Sequence, residues 1–80
     1  MNNQIAEQLK DIIIDYLGDD EIIINEDSLL TDDLGLSSLD LISIVGSIED
    51  GFNIIIEDNE VPSIRTFKDA VDFIENKVKD

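Results

Sequence analysis

The sequence predicts a small all-α domain, and three observations support this prediction. Three stretches of the chain place apolar residues at the spacing of one helical face. Two of these stretches begin at a Ser/Thr-x-x-Asp pattern, which is typical of helix N-termini. The longest apolar runs are only three isoleucines, far too short to cross a bilayer. At 80 residues, the chain is expected to form one domain over residues 1–80, with no linker or second domain attached.

The first predicted helix covers residues 3–17. Five residues follow the spacing of one face and are expected to form part of the core: Ile5, Leu9, Ile12, Ile13 and Tyr16. Gly18 marks the end of this helix, because glycine readily takes the left-handed conformation that ends helices. No residue of this helix suggests a chemical role.

A long connection follows at residues 19–36. Its isoleucine run at 22–24 is expected to place one or two side chains in the core, because no partner strand is evident. Leu30, Leu34 and Leu36 are the expected anchors of this loop. Irregular segments of such length are uncommon unless they are functional, so the loop itself indicates a functional region.

The second predicted helix covers residues 38–51, with Ser37 and Asp40 as its N-terminal capping pair. Its core face is predicted to consist of Leu41, Ile44, Val45, Ile48 and Phe52, with Ile42 at the edge. The opposite side carries Leu39, Asp40, Ser43, Gly46, Ser47 and Asp50. Ser38 is then the first residue inside the helix. Its hydroxyl is free of the cap and lies at the positive end of the helix dipole, where a phosphate group is well received.

The last predicted helix begins after Thr66 and runs to Lys79. Thr66 and Asp69 repeat the capping pattern. Its apolar face comprises Phe67, Ala70, Val71, Ile74 and Val78. Lys77 and Lys79 lie in its last turn, where positive charge suits the helix dipole.

The chain is strongly acidic, with 20 acidic and 5 basic residues and a net charge of -15. This balance excludes nucleic acid as a general partner, because phosphate backbones need cations. It also disfavours an anionic membrane surface. Partners with basic surfaces are expected instead, and strong self-repulsion favours a monomer.

The composition argues against an enzyme. The chain has no cysteine and no histidine, so it offers no thiol nucleophile, no disulfide and no imidazole base. Ser37 and Ser38 therefore lack a base to activate them. No metal site is expected, because the acidic loops do not have the ligand spacing of an EF-hand. The N-terminus does not resemble a signal peptide, and a cytoplasmic location is expected.

The segment LGLSSLD at residues 34–40 resembles the attachment site of acyl carrier proteins, usually written leucine-glycine-x-aspartate-serine-leucine-aspartate. The resemblance places the attachment serine at Ser38. It implies a covalent 4′-phosphopantetheine arm that holds acyl groups as thioesters for fatty acid or polyketide synthesis. Ser37 departs from the usual aspartate and removes one negative charge. The resemblance also implies a four-helix bundle with a long loop between helices 1 and 2 and a short third helix at residues 58–63. Pro62 should limit that helix to about one turn.

The resemblance implies docking and cargo sites as well. The partners that it implies for the chain are a phosphopantetheinyl transferase (holo-acyl-carrier-protein synthase) and enzymes of the acyl transferase and ketosynthase types with basic surfaces. Their docking face would comprise Asp33, Leu39, Asp40, Ser43, Gly46, Glu49 and Asp50. The candidates to line an acyl pocket are Ile44, Ile48, Ile56, Val61 and Ile64, which would otherwise simply close the core.

Several alternatives remain open on the sequence. A peptidyl, aryl or D-alanyl carrier that serves an adenylating enzyme would have the same fold, and Ser37 favours it because the usual aspartate is missing. Ser43 and Gly46 favour this alternative carrier too, because many relatives have an acid at the position of Ser43 and a bulkier apolar residue at the position of Gly46. An unmodified acidic binding module would leave Ser38 without a role. Gly46 itself would be explained by close helix packing or by space beneath a bound chain.

Overall fold

The computed structural model describes residues 3–79 as a helical bundle. In chain order, its elements are α1 (Asn3–Leu17), α2 (Ser38–Phe52), a 3₁₀ helix (Asp58–Ser63) and α3 (Phe67–Lys79). The predicted all-α fold is confirmed, and α2 ends one residue later than expected. The 3₁₀ helix covers the residues expected for the short third helix, although its six residues make about two turns where Pro62 led us to expect about one. Pro62 lies next to the end of this helix, where the loss of one N–H costs little.

The core lies where α1 packs against both α2 and α3. Its most buried side chains come from α1 and α3: Leu9, Ile13, Phe67, Val71 and Ile74. α2 contributes Ile44 and Ile48 as buried residues, with Leu41, Val45 and Phe52 half-buried against the same cluster. The core faces predicted for the three helices are therefore confirmed in outline.

Three residues assigned to a core face or its edge are exposed instead: Tyr16, Ile42 and Val78. Val78 is 51% exposed because it lies in the last turn of α3, beyond the core. The Tyr16 side chain is 42% exposed, because its ring lies at the end of α1 and its hydroxyl reaches Asp40 on α2. Ile42 is 65% exposed. It stands two residues from the buried Ile44, which turns it by about 200° around the helix and away from the core.

The long loop after α1 is anchored by the three leucines expected to do so, and Leu30, Leu34 and Leu36 are all buried. Its isoleucine run places Ile24 in the core and leaves Ile23 exposed. Backbone hydrogen bonds join the loop to the start of α3: Leu30 N–H donates to the Arg65 carbonyl at 3.0 Å, Phe67 N–H to the Ser28 carbonyl at 2.9 Å and Lys68 N–H to the Glu26 carbonyl at 3.0 Å.

Two glycines set the ends of this loop. Gly18 has a φ of +68° and donates its N–H to the Ile14 carbonyl, which ends α1 as predicted. Gly35 has a φ of +71° and turns the chain toward α2. Within residues 3–79, no helix is both long and apolar enough to span a membrane.

Candidate phosphopantetheine attachment site

Ser38 is the first residue of α2, and its side chain is exposed to solvent. Among the described residues, no group donates a hydrogen bond to its hydroxyl or accepts one from it. The hydroxyl is therefore accessible at the end of the helix where the dipole is positive.

Ser37 closes the N-terminus of α2 and confirms the capping prediction. Its backbone is extended, and its Oγ accepts a hydrogen bond from the Asp40 N–H at 3.2 Å. In return, Asp40 Oδ2 accepts from the Ser37 N–H at 2.8 Å and from the Ser37 hydroxyl at 2.9 Å. This is a complete capping box, so the cap does not need the hydroxyl of Ser38.

The second oxygen of Asp40 is bound by a residue of α1. The Tyr16 hydroxyl donates to Asp40 Oδ1 at 2.5 Å. This bond, followed by those from Ser37, holds the pKa of Asp40 below its ordinary value. The same carboxylate raises the pKa of Tyr16, and a hydrogen bond from Ser43 acts in the opposite direction. Asp40 is therefore held ionised with both oxygens in use.

This arrangement leaves the Ser38 hydroxyl without an activating base among the described residues. Asp40 is the acid of the first turn, and its oxygens already accept hydrogen bonds from Ser37 and Tyr16. A reaction at the Ser38 hydroxyl would therefore need a base supplied by another protein. The site is suited to be modified rather than to catalyse.

The start of α2 fits a phosphodiester on Ser38. The N–H groups of Ser38 and Leu39 fall among those that an α-helix leaves without an intrahelical partner. They lie beside the exposed hydroxyl, at the end of the helix that favours anions. The residues present therefore fit the phosphate of a phosphopantetheine group.

The outward face of α2 is more apolar near Ser38 than the sequence indicated. The Leu39 side chain is 77% exposed, and Ile42 lies exposed beside it, one helical turn on. Ser43 and Asp50 are exposed on this helix as well. The helical angle of Ile42 relative to Ile44 was the signal that could have identified it as part of this face.

Three of the acids predicted to dock partners also bind the chain itself. Asp33 Oδ2 accepts from the Leu29 N–H at 2.7 Å, and Glu49 Oε2 accepts from the Ile56 N–H at 2.9 Å. Asp40 closes the capping box. These hydrogen bonds fix the three carboxylates in place, whereas Asp50 is exposed.

The apolar pocket is small in this structure. A cavity of about 20 Å³, room for roughly one water molecule, lies between α1, α2 and the 3₁₀ helix. Four of the five predicted pocket residues line it: Ile44, Ile48, Val61 and Ile64. Ile56 does not line it. It is buried beyond the end of α2, where the loop is held by Glu49.

A shallow groove of about 360 Å³ lies outside this cavity and adjoins Ser38. Its lining residues come from α2 and the 3₁₀ helix: Ser38, Leu41, Ile42, Asp58, Val61 and Pro62. Leu41 and Val61 line the cavity as well, so they separate the groove from the core. Gly46 lines neither space. A Cβ at Gly46 would meet no atom within 4 Å, so close helix packing does not explain this glycine.

A protein family described as the phosphopantetheine attachment site matches residues 7–74. The chain belongs to this family. Its covalent group is 4′-phosphopantetheine, and its acyl carrier proteins carry cargo rather than catalyse, as the resemblance implied. Membership also implies interaction with a phosphopantetheinyl transferase and with biosynthetic enzymes in general.

The chain is similar to curated acyl carrier proteins along most of its length. It is 41% identical over 73 residues to the acyl carrier protein of Solidesulfovibrio magneticus. These 73 residues are 91% of this chain and 94% of the relative. It is 44% identical, with the same coverage, to those of Sinorhizobium fredii and Rhizobium meliloti. The crystal structure of an acyl carrier protein from Thermotoga maritima superposes with a TM-score of 0.82 at 31% identity, covering 96% of this chain and 89% of that one. The resemblance identified from residues 34–40 is therefore confirmed.

Proposed function

We propose that Ser38 is the residue through which this acyl carrier protein holds its 4′-phosphopantetheine. The observation that supports the proposal is that Ser37 and Ser38 have different roles: Ser37 caps α2, and Ser38 does not take part in the cap. Ser37 and Asp40 satisfy each other in the capping box, while the neighbouring hydroxyl is exposed and has no partner within the described part of the chain. Ser38 is thus available to an enzyme without loss of the helix start.

The chain's own contribution is to present the group. When bound, 4′-phosphopantetheine supplies the thiol that forms thioesters, which this cysteine-free chain lacks. The positive end of α2 stabilises the phosphodiester. Because none of residues 3–79 hydrogen-bonds the Ser38 hydroxyl as a base, the hydroxyl is inert until a transferase engages it.

The cargo we propose is an acyl group destined for fatty acid or polyketide synthesis. The relatives are named acyl carrier proteins, which supports this cargo over the peptidyl, aryl or D-alanyl alternatives. In the described conformation, the cavity of about 20 Å³ is too small to hold an acyl chain. Burial of a longer chain would require Leu41 and Val61 to separate, which joins the groove to the cavity.

The docking surface we propose is the outward face of α2 together with the acids around it. Leu39 and Ile42 give it an apolar centre, and Asp33, Asp40, Glu49 and Asp50 give it negative charge. A partner enzyme with a basic rim around an apolar patch complements this face. Ser43 and Gly46 leave its middle free of bulk and charge.

The assignment of Ser38 is tested by incubating the apo protein with coenzyme A and a promiscuous phosphopantetheinyl transferase. Intact mass should show one added group on the wild type and on Ser43→Ala, and none on Ser38→Ala. A mass gain on Ser38→Ala would refute the assignment. No gain on any of the proteins, while a known carrier is modified in parallel, would favour the unmodified binding module.

The docking surface is tested in the same reaction by two apolar truncations. Ile42→Ala should raise the KM for the carrier several-fold, whereas Ile23→Ala should not change it. Ile23 is the matched control, since its side chain is 78% exposed but lies outside α2. Equal effects of the two variants would contradict the proposed surface.

A further inference from the structure

Side-chain hydrogen bonds join α1 to α2 near both ends of α2, and near its start Tyr16 bonds both Asp40 and Ser43. Near the start of α2, the Tyr16 hydroxyl donates to Asp40 Oδ1. At the other end of α2, Gln8 Nε2 donates to the Gly51 carbonyl at 3.2 Å. The first bond ends on the residue that closes the capping box beside Ser38, and the second ends 13 residues away from Ser38 in sequence.

The Asp40 carboxylate is held at both oxygens. Oδ2 accepts from the backbone and the hydroxyl of Ser37, and Oδ1 accepts from Tyr16. The two oxygens belong to one planar group, so a donor that fixes Oδ1 also fixes the direction of Oδ2. Tyr16 therefore limits the rotation that would open the capping box.

The Tyr16 hydroxyl has no role in the core. The side chain is 42% exposed, so a purely apolar side chain could supply the same packing at this position. What the hydroxyl adds is a hydrogen bond to a charged acceptor, which is stronger than one between neutral groups. That bond is directed at the first turn of α2.

We propose that Tyr16 is a positioning residue for the modification of Ser38. Through Asp40 it keeps the capping box closed, and so it holds the turn that carries the Ser38 hydroxyl in a single geometry. The inference rests on the proposed attachment at Ser38. A looser first turn must be ordered again in the transferase complex before the hydroxyl can attack, which slows the transfer.

The test compares Tyr16→Phe with Gln8→Met in the apo protein. Tyr16→Phe keeps the ring and removes the hydroxyl, and Gln8→Met removes the hydrogen bond at the far end of α2. With coenzyme A and the transferase, Tyr16→Phe should lower kcat about three- to tenfold, the effect of one partly exposed hydrogen bond to a charged group. KM should be unchanged, because the outward face of α2 is untouched. Gln8→Met should leave both constants at the wild-type values.

A second readout does not depend on transfer. Amide hydrogen exchange at Ser37 and Asp40 should accelerate in Tyr16→Phe, and exchange in α3 should stay as in the wild type. In an Asp40→Ala background, the carboxylate that the Tyr16 hydroxyl holds is gone, so Tyr16→Phe should cause no further loss of kcat.

The outcomes separate this inference from the attachment site itself. Wild-type kcat and exchange in Tyr16→Phe, or an equal loss of kcat in Gln8→Met, would overturn the role of Tyr16 while leaving Ser38 as the site. A wild type that gains no mass at Ser38 would refute the proposed attachment, and the positioning role with it.

Discussion

Replacing Ser37 with alanine removes the hydroxyl that caps α2. Two of the three hydrogen bonds in the capping box use this hydroxyl: the one it accepts from the Asp40 N–H and the one it donates to Asp40 Oδ2. The third uses the Ser37 backbone N–H and survives the substitution. Loss of a serine N-cap typically costs about 1 kcal/mol. We expect Ser37→Ala to lower the free energy of unfolding by about that amount, or the melting temperature by roughly 4–8 °C for a domain of this size.

The assay is urea unfolding of the apo proteins followed by far-ultraviolet circular dichroism. Ser38→Ala is the matched control because it removes the adjacent hydroxyl, which has no partner among residues 3–79. Its stability should stay within about 0.5 kcal/mol of the wild type, as for other exposed substitutions. Ser37→Ala should still accept phosphopantetheine. If Ser38→Ala were the destabilised variant and Ser37→Ala the one that resists modification, the roles of the two serines would be reversed.

Three further predictions concern stability. Gly46→Ala should raise the free energy of unfolding by about 1 kcal/mol in the same urea assay, because alanine favours the helix and its methyl group meets no atom within 4 Å. A lower free energy of unfolding would contradict the open space at this position. Raising NaCl from about 10 mM to about 0.5 M should raise the melting temperature, because salt screens the self-repulsion of a chain with net charge -15; a fall would contradict this account. The pKa of Asp69 is lowered from its ordinary value of 3.8, and the largest cause is the hydrogen bond from the Thr66 N–H. A lowered pKa in the folded state gives stability that is present above pH 3.8 and is lost as the pH falls through the folded value. Asp69→Asn should therefore flatten the fall in melting temperature below about pH 4, and an unchanged slope would refute the role of this carboxylate.

Local chemistry made much of the fold predictable. The bounds of α1 followed from apolar spacing and Gly18, and the start of α2 followed from the Ser37–Asp40 capping pattern. Leu30, Leu34 and Leu36 were recognisable as anchors because they are apolar residues set among the acidic residues of the loop. These features depend on residues that are near one another in sequence.

Some features that the sequence did not indicate depend on where the helices end relative to one another. Tyr16 fits the apolar spacing of α1, yet it lies beyond the edge of the core and reaches Asp40, 24 residues away. The hydrogen bond that holds Glu49 to the Ile56 N–H likewise joins α2 to the following loop. No local pattern indicates such a partner, because each contact requires the packed arrangement of two segments.

Fragmentation mass spectrometry of the modified protein distinguishes Ser37 from Ser38, because it locates the added group on one of the two residues. We expect every phosphopantetheine on Ser38 and none on Ser37, because the Ser37 hydroxyl is engaged in the capping box. Attachment at Ser37 would contradict the assignment of the cap and of the attachment site together.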